Sequence, residues 1–152
     1  MKIQTKPYGE IEVSEKQRLF FPEGIIGFED IKYYFMLDSR EGPYYWLQAE
    51  GYPELAFIIM NPRLFKDDYR LMVREEDLKS IDINSRDEML DFVILTVPED
   101  LTKISANLMG PIIINRKTRK AKQVISENDE YTVKHYILDE IKSRKKKLVE
   151  SR

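Results

Sequence analysis

Few residues in this 152-residue chain have the types and spacing that chemistry requires. The chain has no cysteine, which excludes disulfides, thiolate metal sites and thiol nucleophiles. His135 is the single histidine, so a multi-histidine metal site has no second imidazole to use. Its position in a predicted strand favours a structural or surface role. We therefore predict no catalytic residue and no metal site at this histidine.

The carboxylates and glycines form no catalytic pattern either. Adjacent acids point to opposite faces when they lie on a strand, so they do not make an acid–base pair there. Asp67 and Asp68 lack the spaced acidic loop of a calcium site, and we expect them to be solvated loop residues. Gly24 and Gly27 lack the helix and the lysine that a phosphate-binding loop needs. These patterns predict a protein that is not an enzyme and uses no cofactor.

Charge is distributed unevenly along the chain. It has 25 basic and 27 acidic residues, and residues 139–152 hold six of the basic and three of the acidic ones. The remaining body is acidic, and affinity for nucleic acid depends on cations that neutralise phosphates. No apolar run approaches the roughly 20 residues of a membrane helix, and no apolar signal region follows Met1. We expect a cytoplasmic protein that contacts neither nucleic acid nor membrane directly.

Short apolar or alternating stretches recur along most of the chain, with turn residues between them. They predict strands, and their spacing favours an antiparallel barrel or sandwich over strand–helix repeats. The predicted strands are 10–14, 18–21, 32–37, 44–48, 55–60, 92–97, 112–114, 122–125 and 131–136. Helices are predicted at 75–80 and 138–149, and the second should fray where the basic run begins at Lys142.

The predicted fold class is mainly β: a single-domain antiparallel β-barrel-like fold with a few short helices and a C-terminal helix. The domain covers residues 1–141, and residues 142–152 form a basic, flexible tail. Two turns, at 20–29 and 105–111, contain more apolar side chains than ordinary loops do. Methionine is frequent at adaptable binding surfaces, so Leu108 and Met109 suit either partner binding or core packing, and the sequence leaves both open.

Five blocks of the sequence, taken in order, resemble those of the FliW family of bacterial flagellar assembly factors. Each block alone is weak, but their order and spacing are specific. They are 21–29, 45–48, 55–62, 97–98 with 105–115, and 122–124, followed by Tyr131 and His135. Ile26 stands where the family usually has Pro, Ser105 where it has Thr, and Ala121 where Gly is common. The basic run from Lys142 lies beyond the resemblance.

The resemblance implies a binding function. Proteins similar to this chain bind the translational repressor CsrA, relieve its repression of flagellin mRNA, and also bind flagellin. Within the matching blocks we predict partner-binding residues in two turns that end apolar strands: Asn107, Leu108, Met109, Gly110, Pro111, Asn61 and Pro62. The alternatives are a small β-barrel hydrolase or metal-dependent enzyme, and an RNA-binding barrel. Whether CsrA and flagellin would share one surface stays open.

Overall fold

The computed structural model describes residues 1–150. Their two α-helices are α1 (Glu75–Ser80) and α2 (Ile137–Glu150), and short 3-10 turns connect several strands. The strands are β1 (Lys2–Thr5), β2 (Gly9–Glu12), β3 (Arg18–Phe20), β4 (Tyr33–Asp38), β5 (Tyr45–Ala49), β6 (Ala56–Met60), β7 (Met89–Thr96), β8 (Ser105–Ala106), β9 (Ile112–Asn115), β10 (Ala121–Gln123) and β11 (His135–Tyr136).

The strands form one small and one large antiparallel sheet. β1 and β2 make a separate hairpin, and the large sheet follows the order β10-β9-β7-β6-β5-β4-β3. β7 is the longest strand. Its first half pairs with β9 and its second half pairs with β6 on one edge and β8 on the other. β8 also pairs with β11.

The two ends of the large sheet meet at a single point. The Phe20 N–H donates to the Arg119 carbonyl at 3.0 Å, beside an isolated bridge between Phe20 and Lys120. One bridge is far less than a full ladder, so the sheet curls like a barrel without closing. The predicted mainly β, barrel-like fold is confirmed.

The core lies on both faces of the large sheet. Successive residues of a strand point to opposite faces, so Ile112 packs with Phe21 and Ile59 while Ile113 packs with Val93 and a second cluster. All four residues of β9 are buried. A continuous apolar run without alternation therefore indicated correctly a strand covered on both sides.

Several element bounds differ from the prediction. β7 begins at Met89, three residues before the predicted strand 92–97, and β1 and β8 were not predicted. The predicted strand 131–136 shrinks to β11, whose two residues pair with β8. Strands of two residues carry too few side chains to show a period, so the pattern cannot indicate them.

Helix α2 continues through the basic run, where fraying was predicted, so that expectation is wrong. Lysine and arginine are good helix formers. Two side chains of the run also contact acids after β6: Arg144 Nε lies 3.4 Å from Asp67 and Lys147 Nζ lies 3.1 Å from Asp68. The division into a domain over 1–141 and a flexible tail over 142–152 stays a prediction. No helix within residues 1–150 combines the length and apolar character needed to cross a membrane.

Candidate functional site

The β8–β9 turn, residues 107–111, is held rigidly by hydrogen bonds. The Asn107 side-chain oxygen accepts from the Gly110 N–H at 2.9 Å. The N–H groups of Leu108 and Met109 both donate to the Thr132 carbonyl at 3.1 Å. The turn is therefore fixed to the segment before β11.

This turn points its two large apolar side chains in opposite directions. Leu108 is 0% exposed and packs with Val93 and Ile113, whereas Met109 is 39% exposed. Gly110 and Pro111 are buried. Of the two possibilities left open for Leu108, core packing is the one that the structure shows, because the side chain completes the core beneath the turn. Met109 is the apolar side chain that the turn presents to solvent.

The Asn61–Pro62 turn has a local structural explanation. Asn61 caps a 3-10 turn, since its side-chain oxygen accepts from the Arg63 N–H at 3.1 Å, and the buried Pro62 occupies the first position. This turn follows β6, on the edge of β7 opposite to that of β8 and β9. The two predicted turns thus lie on opposite sides of β7. Asn61 borders a cleft that is also lined by Leu64 and Phe92.

Gln123 joins two loops, a role that the sequence did not reveal. Its Oε1 accepts from the Ile26 N–H at 3.0 Å, and its Nε2 donates to the Gly110 carbonyl at 3.0 Å. Proline, which the resembling family usually has at the position of Ile26, has no N–H to donate. The departure at Ile26 therefore adds a hydrogen bond that ties the β3–β4 loop to the β8–β9 turn.

In the β3–β4 loop, residues 21–32, some apolar side chains are buried and others are exposed. Phe21 and Ile25 are buried, whereas Ile26 and Phe28 are exposed. Gly24 has φ +69°, and a Cβ there would lie 2.6 Å from the Glu29 Cα, so only glycine fits. The loop is therefore a tight turn that adds two side chains to the core and still presents apolar side chains to solvent.

His135 is a structural residue. Its Nε2 accepts from the Thr132 N–H at 2.9 Å, and its Nδ1 lies 2.9 Å from Glu140 Oε1. An accepting Nε2 requires the tautomer with hydrogen on Nδ1, which then donates to Glu140. Burial disfavours the charge on Glu140, but hydrogen bonds from His135 and Lys66 outweigh it and hold the pKa of this carboxyl below its ordinary value. His135 thereby positions Thr132, whose carbonyl holds the β8–β9 turn.

A family model described as "FliW protein" matches residues 2–137 of this chain. The chain belongs to the FliW family. It is 43% identical to the flagellar assembly factor FliW of Ruminiclostridium cellulolyticum, over 95% of this chain and 99% of that protein. It is also 43% identical to the FliW of Leptospira interrogans, over 91% of this chain and 94% of that protein.

A solved structure agrees. The crystal structure of a flagellar assembly factor FliW superposes with a TM-score of 0.84 and 34% identity, covering 90% of this chain and 96% of that one. FliW proteins are flagellar assembly factors and not a family of enzymes, which confirms the prediction that this chain is not an enzyme.

Most polar residues of the blocks that carry the FliW resemblance form hydrogen bonds within the fold. Asn115, which is 1% exposed, donates to the carbonyls of Ile81 and Asp82 and accepts from two N–H groups of the β9–β10 turn. Gln48 is buried and bonds to backbone groups of the β5–β6 hairpin. Ala121, which departs from the common Gly, lies in β10, and the positive φ of that turn (66°) falls on Arg119.

Charged clusters of this FliW chain are ion-paired. Lys122 Nζ lies 2.9 Å from both Glu23 and Asp77, which ties the β3–β4 loop to α1. Burial disfavours the charges of Lys122 and Asp77, but their hydrogen bonds outweigh it, raising the pKa of Lys122 and lowering that of Asp77. Asp67 and Asp68 are exposed, as expected, and they also pair with basic side chains of α2. Among residues 1–150, no group of three or more acidic or histidine side chains is arranged to hold a metal.

Proposed function

We propose that this chain binds a CsrA-type translational repressor in the cytoplasm, relieves its repression of flagellin mRNA, and also binds flagellin. The observation that carries the proposal is the FliW family match over residues 2–137, together with the similarity to flagellar assembly factors over nearly the whole chain. Flagellin and repressor then act as alternative partners. Export of flagellin frees the chain to bind the repressor.

The proposed contact includes the exposed part of the β8–β9 turn. Met109 offers an adaptable apolar side chain, while Asn107, Gly110 and Pro111 hold the backbone that presents it. Leu108 supports the turn from the core. A turn that is already fixed loses little conformational entropy on binding, which favours affinity. The Asn61–Pro62 turn, on the other side of β7, is the second proposed contact.

The inhibition that we propose is electrostatic as well as steric. The chain without residues 139–152 is acidic, and an acidic protein beside a bound repressor repels the phosphates of RNA. The direct test is fluorescence anisotropy of a labelled flagellin-leader RNA bound to purified repressor. Addition of the chain should release the RNA, and addition of flagellin should restore the RNA complex.

Varying the salt concentration separates the electrostatic from the steric contribution to inhibition. Raising NaCl from about 0.05 M to about 0.5 M shortens the screening length severalfold, so inhibition should weaken if charge repulsion contributes. Direct titration of the chain with repressor at each salt concentration controls for weaker association. Unchanged inhibition would instead mean steric blocking or a conformational change of the repressor. Failure of the chain to bind the repressor at either concentration would refute the proposal.

A further inference from the structure

Four exposed apolar side chains lie on segments that hydrogen bonds hold together. Ile26 is 61% exposed, Met109 39%, Ile125 50% and Val133 63%. We call the region that they form the apolar patch. Such residues occurring singly are ordinary on a protein surface, but a contiguous group indicates an interaction site.

The contiguity of the patch follows from the backbone. Gln123 binds the Ile26 N–H and the Gly110 carbonyl, which brings the β3–β4 loop beside the β8–β9 turn. The Ser126 N–H donates to the Met109 carbonyl at 2.8 Å, which places Ile125 next to that turn. Thr132, which precedes Val133, accepts from the N–H of Met109. Three separate chain segments therefore converge at Met109 and Gly110.

The segments that carry the patch are acidic. Residues 22–30, 107–111 and 125–134 contain six acidic residues and one lysine. All six acids are exposed, and no ion pair is assigned to Glu29, Asp30, Asp129 or Glu130 within the described residues. Glu23 is already paired with Lys122, and Glu127 lies near Arg74. An apolar centre with an acidic border complements a surface that has an apolar centre and a basic border.

We infer that the apolar patch is the docking surface for the basic RNA-binding repressor, with Ile26, Met109, Ile125 and Val133 as its apolar contacts and Gln123 as a positioning residue. This inference rests on the proposed function and extends it to residues outside the predicted turns. An RNA-binding protein needs cationic surface to neutralise phosphates, whereas RNA itself would be repelled by the acidic border. Charge complementarity thus selects the protein, and not its RNA, as the occupant.

The test is calorimetric titration of Ile26→Asp and Ile125→Asp with purified repressor. Both residues are exposed, so the variants should fold, and thermal melts check this. The matched control is Leu101→Asp, which is 65% exposed but lies at the opposite end of β8 from Met109. Each patch variant should weaken binding at least tenfold, because it loses an apolar contact and adds a like charge to the acidic border. The control should stay within about twofold of the parent, a difference below the tenfold that corresponds to about 1.4 kcal/mol.

Association and dissociation rates test the acidic border and the positioning role of Gln123 separately. Asp129→Asn with Glu130→Gln should slow association severalfold at low salt and leave dissociation nearly unchanged, since border charges act on the encounter rate. Glu41→Gln with Asp139→Asn neutralises two exposed acids outside the segments that carry the patch and should change neither rate. Gln123→Met keeps the side-chain length but removes both hydrogen bonds, and should speed dissociation.

Each result decides between distinct conclusions. If both patch variants bind the repressor like Leu101→Asp, the docking surface is elsewhere and this inference fails alone. If both patch variants lose flagellin binding but still bind the repressor, the assignment of the repressor to the apolar patch is wrong. If the parent itself binds no repressor, the proposed function fails, and this assignment fails with it.

Discussion

Truncating Leu108 and Met109 separately should affect stability and binding in opposite ways, although the two residues are neighbours. Leu108 is 0% exposed inside the core cluster, so Leu108→Ala should lower the free energy of unfolding by about 2–5 kcal/mol through lost burial and a residual cavity. For a chain of this size each kcal/mol shifts the melting midpoint by about 2–4 °C. The expected loss is therefore about 4–20 °C.

Met109 should show the reverse behaviour. Its side chain is 39% exposed, so Met109→Ala removes less buried surface and should cost about 1 kcal/mol of stability. As an apolar anchor of the proposed contact it should cost about 1–3 kcal/mol of binding, which is roughly 5- to 150-fold in affinity for CsrA. Leu108→Ala, titrated well below its melting point, should bind within about threefold of the parent.

Thermal melts and calorimetric titration with purified CsrA, run on the same samples, measure both quantities. Leu108→Met is a useful control, because a swap that nearly conserves volume should cost less than about 1.5 kcal/mol. Leu101→Ala controls for truncation of an exposed side chain. Parent-like binding by Met109→Ala would remove this turn from the contact. A parent-like melt of Leu108→Ala would refute the assignment of Leu108 to the core.

Three further predictions concern the region around α2. His135→Gln should leave partner binding within about tenfold of the parent, because His135 acts through the fold; a larger loss with an intact circular dichroism spectrum would contradict this. Truncation after Ile141 should lower the melting midpoint by less than about 8 °C. The ion pairs of the basic run are exposed, and such pairs contribute about 0–1 kcal/mol each. A larger fall would show that the run is part of the domain. The lowered pKa of Glu140 contributes stability that is present above the ordinary glutamate pKa and is lost as pH falls through the lower, native value. Glu140→Gln should therefore be less stable than the parent at pH 7, and the gap should narrow as pH falls below the ordinary glutamate pKa, as denaturant melts across pH would measure.

Strong local signals predicted most of the fold from the sequence. The continuous apolar residues of β6, β7 and β9 indicated strands, of which β9 is buried throughout. The acidic first turn of α1 indicated a helix beginning at Glu75. The fraying of α2 was predicted wrongly because a run of like charges suggests repulsion. The acids at Asp67 and Asp68, distant in sequence, offset that repulsion in the folded chain. Contacts of this kind have no local sequence signature.

The site was harder to predict, because a turn has no period that separates inward from outward side chains. Leu108 and Met109 are equivalent by composition, and the inward direction of Leu108 depends on the Thr132 carbonyl, which lies beyond β9 and β10. Ile125 was assigned to the predicted strand 122–125. Its exposure becomes clear only when β10 ends at Gln123.

The motif residues explain why the family is recognisable although its partner surface is not. Gln48, Asn107, Asn115 and Gln123 direct their amides to backbone groups, and leaving such groups unpaired in a folded protein costs about 1–3 kcal/mol each. These residues therefore determine the fold, and a pattern built on them identifies proteins that share it. The side chains able to meet a partner lie between them. Affinity for a particular repressor should accordingly follow exposed residues such as Ile26 and Met109 more closely than it follows the motif itself.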